Sequence, residues 1–117
     1  MPSDIPQLQD LLNACEYLLR TTAGITLEEF LDDDDKLFGV QHQMMIAGEA
    51  VKRLSPEFRA AHPSIEWTKL AGMRDVLIHR YDEVDTDVIW NAIHNDIPVL
   101  RDFLVQQLSS SPPDGAR

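Results

Sequence analysis

The stretch Arg74-Asp75-Val76-Leu77-Ile78-His79-Arg80-Tyr81 gathers an arginine, a histidine and a tyrosine within about two helical turns, in a chain with only four histidines and two tyrosines. Such a trio suits phosphate chemistry. Arginine carries a permanent charge on a rigid fork of donors, histidine exchanges protons near neutral pH, and a tyrosine hydroxyl donates, accepts or is modified. On an ideal helix of about 100° per residue, with Leu70 at zero, Met73, Leu77 and Tyr81 fall within about 60° of it and form a buried stripe. Arg74 lies at about +40°, on the edge of that stripe, where an unpaired charge is expensive and an anionic partner is required. That partner is either an acid on a neighbouring helix, the ordinary structural salt bridge, or a phosphate. Asp75 and His79 fall towards the opposite face at i and i+4, which places Asp75 to hold the imidazole or raise its basicity. Arg74 and His79 are then about 140° apart on one helix. A small ligand meets both only if the helix end distorts, the substrate wraps the helix, or a second copy brings its own motif across a two-fold axis. The third is the most economical.

The elements that must carry this motif read as helices throughout. Ile5, Leu8, Leu12, Cys15 and Leu19 paint an apolar stripe on a first helix that Gly24 stops. Thr26 with Glu29 three residues on forms a capping box for a short helix Leu27 to Leu31, and the aspartates Asp32 to Asp35 start the next, where negative charge favours a helix N-terminus. Leu37, Val40, Met44, Ala47, Val51 and Leu54 form one seam along a long helix, and Gly48 inside it predicts close approach of another helix. Ser55-Pro56 caps a short turn ending before His62-Pro63. A helix from near Ser64 to about Tyr81 carries the motif. The last begins near Asp85 and runs to Leu108, bent or interrupted at Pro98. Residues 109–117 hold three serines, two prolines and a glycine with nothing to bury, and are expected to be a disordered tail. One domain, residues 1–108, follows: all-α, an antiparallel four-helix bundle with short extra helices.

Composition limits what such a domain does. The formal net charge is −10, yet the window from Lys52 to Arg80 holds six basic residues against three acidic ones. That window is +3, and the rest of the chain is −13. A surface that binds nucleic acid everywhere is excluded, whereas one focused anion site or a charged docking face is compatible. The lone Cys15 excludes an intrachain disulfide and fits core packing in a reducing cytoplasm. No apolar run reaches the roughly 18 residues a membrane span needs, and a secretory start is not evident. His42, His62 and His94 lack partners at metal-ligand spacing, the aspartate run lacks the pattern of a calcium loop, and Met44, Met45, Trp67 and Trp90 read as packing residues.

Arg74-x4-His79-x-Tyr81, preceded by Ala71-Gly72-Met73 and by the segment Gly48-Glu49-Ala50-Val51-Lys52-Arg53-Leu54-Ser55, resembles the HepT-like toxins of the HEPN superfamily across nearly the whole chain. The resemblance implies a homodimer whose two motifs converge at the dimer interface and act as a metal-independent endoribonuclease without a cofactor. Carried onto this chain, Arg74 and His79 are the catalytic pair and Asp75 the polar residue after the arginine. The substrate is then RNA and not DNA. The resemblance also implies an MntA-like nucleotidyltransferase antitoxin that transfers AMP to Tyr81, the modification site, and so silences the enzyme. A rival reading needs no catalysis: a helical subunit that binds nucleotide or a nucleotidyltransferase partner, with Arg74 and His79 merely gripping phosphate.

Overall fold

The computed structural model describes residues 3–80, 82 and 84–110, and these form seven α-helices and no strand. They are α1 (Ile5–Thr22), α2 (Leu27–Leu31), α3 (Asp34–Arg53), α4 (Pro56–Ala61), α5 (Trp67–His79), α6 (Thr86–Asn95) and α7 (Ile97–Ser110). The local signals act as chemistry requires. Gly24 takes φ +74°, the left-handed conformation glycine adopts without strain, just beyond the end of α1. Thr26 accepts from the Glu29 amide at 3.1 Å while the Glu29 carboxylate accepts from the Thr26 amide at 2.9 Å, so two orphan donors at the start of α2 are satisfied reciprocally. Asp33 caps α3 through the Lys36 amide, and Ser55 caps α4 through the Phe58 amide, with Pro56 in the first turn. Asp96 separates α6 from α7, and Pro98 sits in the first turn of α7, where its missing donor costs nothing.

α3 is central: it packs against both α1 and α5, and α1 packs in turn against α7. The shared core is Leu11, Leu18, Phe30, Val40, Met44, Val51, Ile97 and Leu104, each at most 1% exposed. The expected α3 seam is buried at Val40, Met44, Ala47, Val51 and Leu54. The α1 stripe is turned from its expected position. Leu8, Leu11, Ala14, Cys15 and Leu18 are buried, Leu12 and Leu19 flank them, and Ile5 is 40% exposed. Leucines occupy two overlapping helical rows in α1, and contact with α3 and α7 selects the row centred on Leu11 and Leu18. Cys15 is fully buried in that row, and burial, with a smaller push from Glu16, raises its thiol pKa to about 12.

Three polar ties fix the ends of these helices. Asp4 accepts from both the amide and the hydroxyl of Ser55 at 2.8 Å, joining the start of α1 to the α3–α4 corner. Arg101 on α7 pairs with Glu16 on α1 at 3.1 Å. Lys69 on α5 pairs with Asp96 between α6 and α7. α5 begins at Trp67, three residues later than expected at Ser64, because residues 62–66 form a turn in which the Ile65 amide and the Trp67 indole both donate to the His62 carbonyl. Trp67 is 6% exposed and meets Phe58 and Phe103 edge-on, so this turn anchors α5. At the other end α7 continues to Ser110, two residues beyond the expected boundary, and the rest of the expected tail, 111–117, lies outside the described residues.

Candidate active site

α5 presents Leu70 and Leu77 to the core, 4% and 6% exposed, with Met73 half-buried beside them. Arg74 follows the edge of that stripe, as the helical phase requires, and points at α3. What lets it lie there is Gly48. A Cβ at Gly48 would overlap the Cβ of Arg74 and stand 2.9 Å from the Leu70 carbonyl oxygen, so the two helices touch through bare backbone. The expected close approach is thus found, and its partner is the turn of α5 that bears Arg74.

The guanidinium is held from two sides. Its Nη2 meets Glu49 Oε2 at 3.0 Å, and its Nη1 donates to Asp75 Oδ1 at 2.9 Å. Glu49 is the acid on a neighbouring helix that the position of Arg74 demanded. The Nε is buried with no hydrogen-bond partner among the described residues. With its side chain only 22% exposed, Arg74 is a fixed charge rather than a swinging one.

Asp75 differs from expectation. Its carboxylate does not hold His79: Oδ1 accepts from Arg74 and, at 2.8 Å, from Lys52 Nζ on α3. Those two hydrogen bonds, the Lys52 one foremost, keep its pKa below the ordinary 3.8. A lysine ammonium reaching across from α3 is a charge-assisted partner for that carboxylate. Glu49 also lies 3.5 Å from Arg53 Nε, so Lys52, Arg53 and Arg74 surround Glu49 and Asp75. Three cations against two carboxylates leave the cluster one positive charge.

His79 is the last residue of α5 and exposed, and its imidazole makes no hydrogen bond to another described residue. It is therefore open to a ligand, but no contact among the described residues brings it to Arg74. Tyr81 lies outside the described residues. Two groups missed by reading the motif alone are Glu49 and Lys52. Gly48 was their signal: the residues beside a helix-contact glycine are those that reach the partner helix. On the far side of α5 a groove of about 510 Å³, lined by Met73, Val76, Val84, Val88 and Ile89, separates it from α6. Among the described residues no three His, Cys, Asp or Glu side chains are grouped to hold a metal ion, and no helix is long and apolar enough to cross a membrane.

Comparison with known proteins gives this geometry a context. A family model described as Ribonuclease HepT-like matches residues 11–106, which takes in α3, α5 and the whole charged cluster. The chain is 40% identical over 94 residues to "Probable ribonuclease HepT" of Thermococcus cleftensis, covering 80% of this chain and 86% of that protein. It is also 40% identical over 100 residues to "Putative RNase TTE0752" of Caldanaerobacter subterraneus subsp. tengcongensis, covering 86% and 89%. A third relative, "Putative RNase MJ0127" of Methanocaldococcus jannaschii, is 33% identical over 91 residues, 78% of this chain and 75% of that protein. No solved structure matches the chain. The chain belongs to the ribonuclease HepT-like family of the HEPN superfamily.

Proposed function

We propose that this protein is the toxin of a HEPN/MNT toxin–antitoxin pair: a metal-independent endoribonuclease, active as a homodimer of four-helix bundles, with its site at the dimer interface. The observation that carries the reading is the contrast between Arg74 and His79. One is a charge fixed by Glu49 and Asp75, and the other is an exposed imidazole at the end of the same helix. A reaction at phosphorus needs both, a preorganised cation and a mobile proton carrier. The names of the relatives, which are ribonucleases by their wording, support RNA as the substrate.

In the proposed step, His79 accepts the proton of a ribose 2′-hydroxyl as that oxygen attacks the adjacent phosphorus while water protonates the departing 5′-oxygen, or His79 protonates the 5′-oxygen while water takes the 2′-hydroxyl proton. Arg74 stabilises the charge that builds on the phosphorane oxygens, and Asp75 keeps the guanidinium in place. The bond to the 5′-oxygen breaks as the bond to the 2′-oxygen forms, giving a 2′,3′-cyclic phosphate and a free 5′-hydroxyl. DNA lacks the nucleophile and is not cut. A second copy supplies its own motif across the two-fold axis, which removes the separation of Arg74 and His79 on one helix. Silencing by an MntA-like nucleotidyltransferase places AMP on Tyr81, two residues from His79, where added phosphate repels the substrate and competes for the cation.

A non-catalytic reading is favoured by one observation: Glu49 and Asp75 already neutralise Arg74 without any substrate. RNA cleavage by the purified, unmodified protein separates the two. The enzymatic reading expects cleavage that stops in His79→Ala and at a target whose attacking 2′-hydroxyl is replaced by hydrogen. Intact mass, with and without co-expressed nucleotidyltransferase, should differ by whole AMP increments that vanish in Tyr81→Phe. Cleavage that survives His79→Ala removes that residue from the mechanism, and absence of cleavage across RNA classes leaves the binding module.

A further inference from the structure

The cation cluster does more than hold Arg74. We propose that Lys52, on α3, is a phosphate-binding residue: together with Arg74 it grips one backbone phosphate of single-stranded RNA. The ligand rests on the ribonuclease reading, whereas the anion site rests on the geometry alone.

Lys52 Nζ and Arg74 Nη1 both reach a single oxygen, Asp75 Oδ1, at 2.8 and 2.9 Å. Two cationic nitrogens that share one acceptor atom are close enough for the non-bridging oxygens of one phosphate to span them. Neither is exhausted by its ion pairs. An ammonium has three N–H donors and each terminal guanidinium nitrogen has two. Lys52 spends one donor on Asp75, and Arg74 spends one on Asp75 and one on Glu49. The remaining donors of Lys52 are at an open surface, its side chain being 40% exposed, while Arg74, 22% exposed with its Nε buried, offers only the free N–H groups of its terminal nitrogens. A phosphate can thus be added without breaking an existing pair.

Charge agrees with the donor inventory. The cluster of Lys52, Arg53, Arg74, Glu49 and Asp75 carries one net positive charge. One phosphodiester neutralises it, on a chain whose overall charge is −10 and which therefore attracts polyanions nowhere by default. Stability alone explains the lysine poorly, because exposed ion pairs of this kind contribute little to folding. Asp75 is then a positioning residue that aims two cations at one point, and Lys52 extends the grip from α5 to α3.

The test uses a fully 2′-O-methylated single-stranded RNA, which lacks the attacking hydroxyl, and reads binding by fluorescence anisotropy across a salt series. Lys52→Ala is expected to weaken binding about fivefold near 0.1 M salt and to reduce the slope of log affinity against log salt by about 0.7 per site. Lys52→Arg should restore both. Arg20→Ala removes a charge from the exposed surface of α1 and should change the slope little. Lys52→Gln, which keeps most of the aliphatic stem, carries the same comparison should the alanine variant unfold. An unchanged slope in Lys52→Ala and Lys52→Gln overturns the assignment, as does an equal loss in Arg20→Ala or no binding by the wild-type protein. If a Lys52-dependent slope is found but unmodified RNA is never cut, the phosphate site stands and the ribonuclease reading fails.

Discussion

Replacing Gly48 by alanine tests the geometry on which everything at the site depends, because two known effects oppose each other there. In a helix interior alanine is favoured over glycine by about 0.5–1 kcal/mol, so an open position would gain stability. At Gly48 the new Cβ would overlap the Arg74 Cβ and stand 2.9 Å from the Leu70 carbonyl and 3.1 Å from the Arg74 Cγ. None of these is the free end of a flexible side chain, so α3 and α5 must separate. Overpacking of that kind costs about 1–3 kcal/mol, and the balance is a loss of roughly 1–2 kcal/mol. Gly72, on the same motif helix, is the internal control: nothing lies within 4 Å of its Cβ position. Gly72→Ala should therefore gain about 0.5–1 kcal/mol. Urea unfolding followed by circular dichroism, at one protein concentration to hold any self-association constant, measures both variants. The same shift of α5 carries Arg74 with it, and RNA cleavage should fall further than the unfolded fraction explains, since a misplacement of about 1 Å costs up to roughly a hundredfold. The reasoning is wrong if Gly48→Ala is as stable as wild type or gains as Gly72→Ala does.

Asp75 should give stability a small pH dependence of definite sign. Its folded pKa lies below the ordinary 3.8 because Lys52 and Arg74 bond to the charged form, so its contribution is complete above that value and is lost as pH falls through the folded pKa. The stability difference between wild type and Asp75→Asn should be constant from neutral pH to about 5 and shrink below 4; a difference that grows on acidification contradicts the pairing. Cys15 should resist iodoacetamide at pH 8 in the native protein and react when unfolded, because it is fully buried with a thiol pKa of about 12; rapid native labelling would mean that the α1 row is misplaced. Thr26→Ala should cost about 1 kcal/mol in chemical unfolding through loss of the capping box, and a change within error would show that α2 needs no cap.

Features decided by local chemistry could be read from the sequence. The Thr26–Glu29 box, the start of α3 in the aspartate run, the Ser55 cap and the break at Pro98 each arise from residues close in sequence. The α3 seam was equally legible, because one apolar row runs through it without a competitor. α1 carries two, and only its packing on α3 and α7 decides between them. The site divides in the same way. Helical phase put Arg74 at the core edge and required an anionic partner, either an acid or a phosphate, but that an acid takes the place, and that it is Glu49, depends on how α3 and α5 align. Asp75 was assigned to His79 because both lie on one helix; the partner it takes, Lys52, is 23 residues away and reaches over from α3 on a long stem. Contacts between helices are not written in the period of either.

Charge links the site to assembly. Two copies of a chain at −10 repel, and the penalty is least where the surface is locally positive. The segment from Lys52 to Arg80, +3 in sequence, supplies Lys52, Arg53 and Arg74 to the charged cluster, the locally positive patch between α3 and α5. Facing copies of one positive cluster still repel each other, but much less than the acidic bodies would, and an RNA phosphate between them replaces repulsion with attraction. On the proposed reading, dimerisation and substrate binding therefore draw on the same charges. Added salt should strengthen self-association of the free protein, by screening the bodies, while weakening its hold on RNA, by screening the cluster. An interface built on the acidic α2–α3 corner at Asp32 to Asp35 would share the first response but would leave RNA affinity indifferent to whether the protein is a dimer.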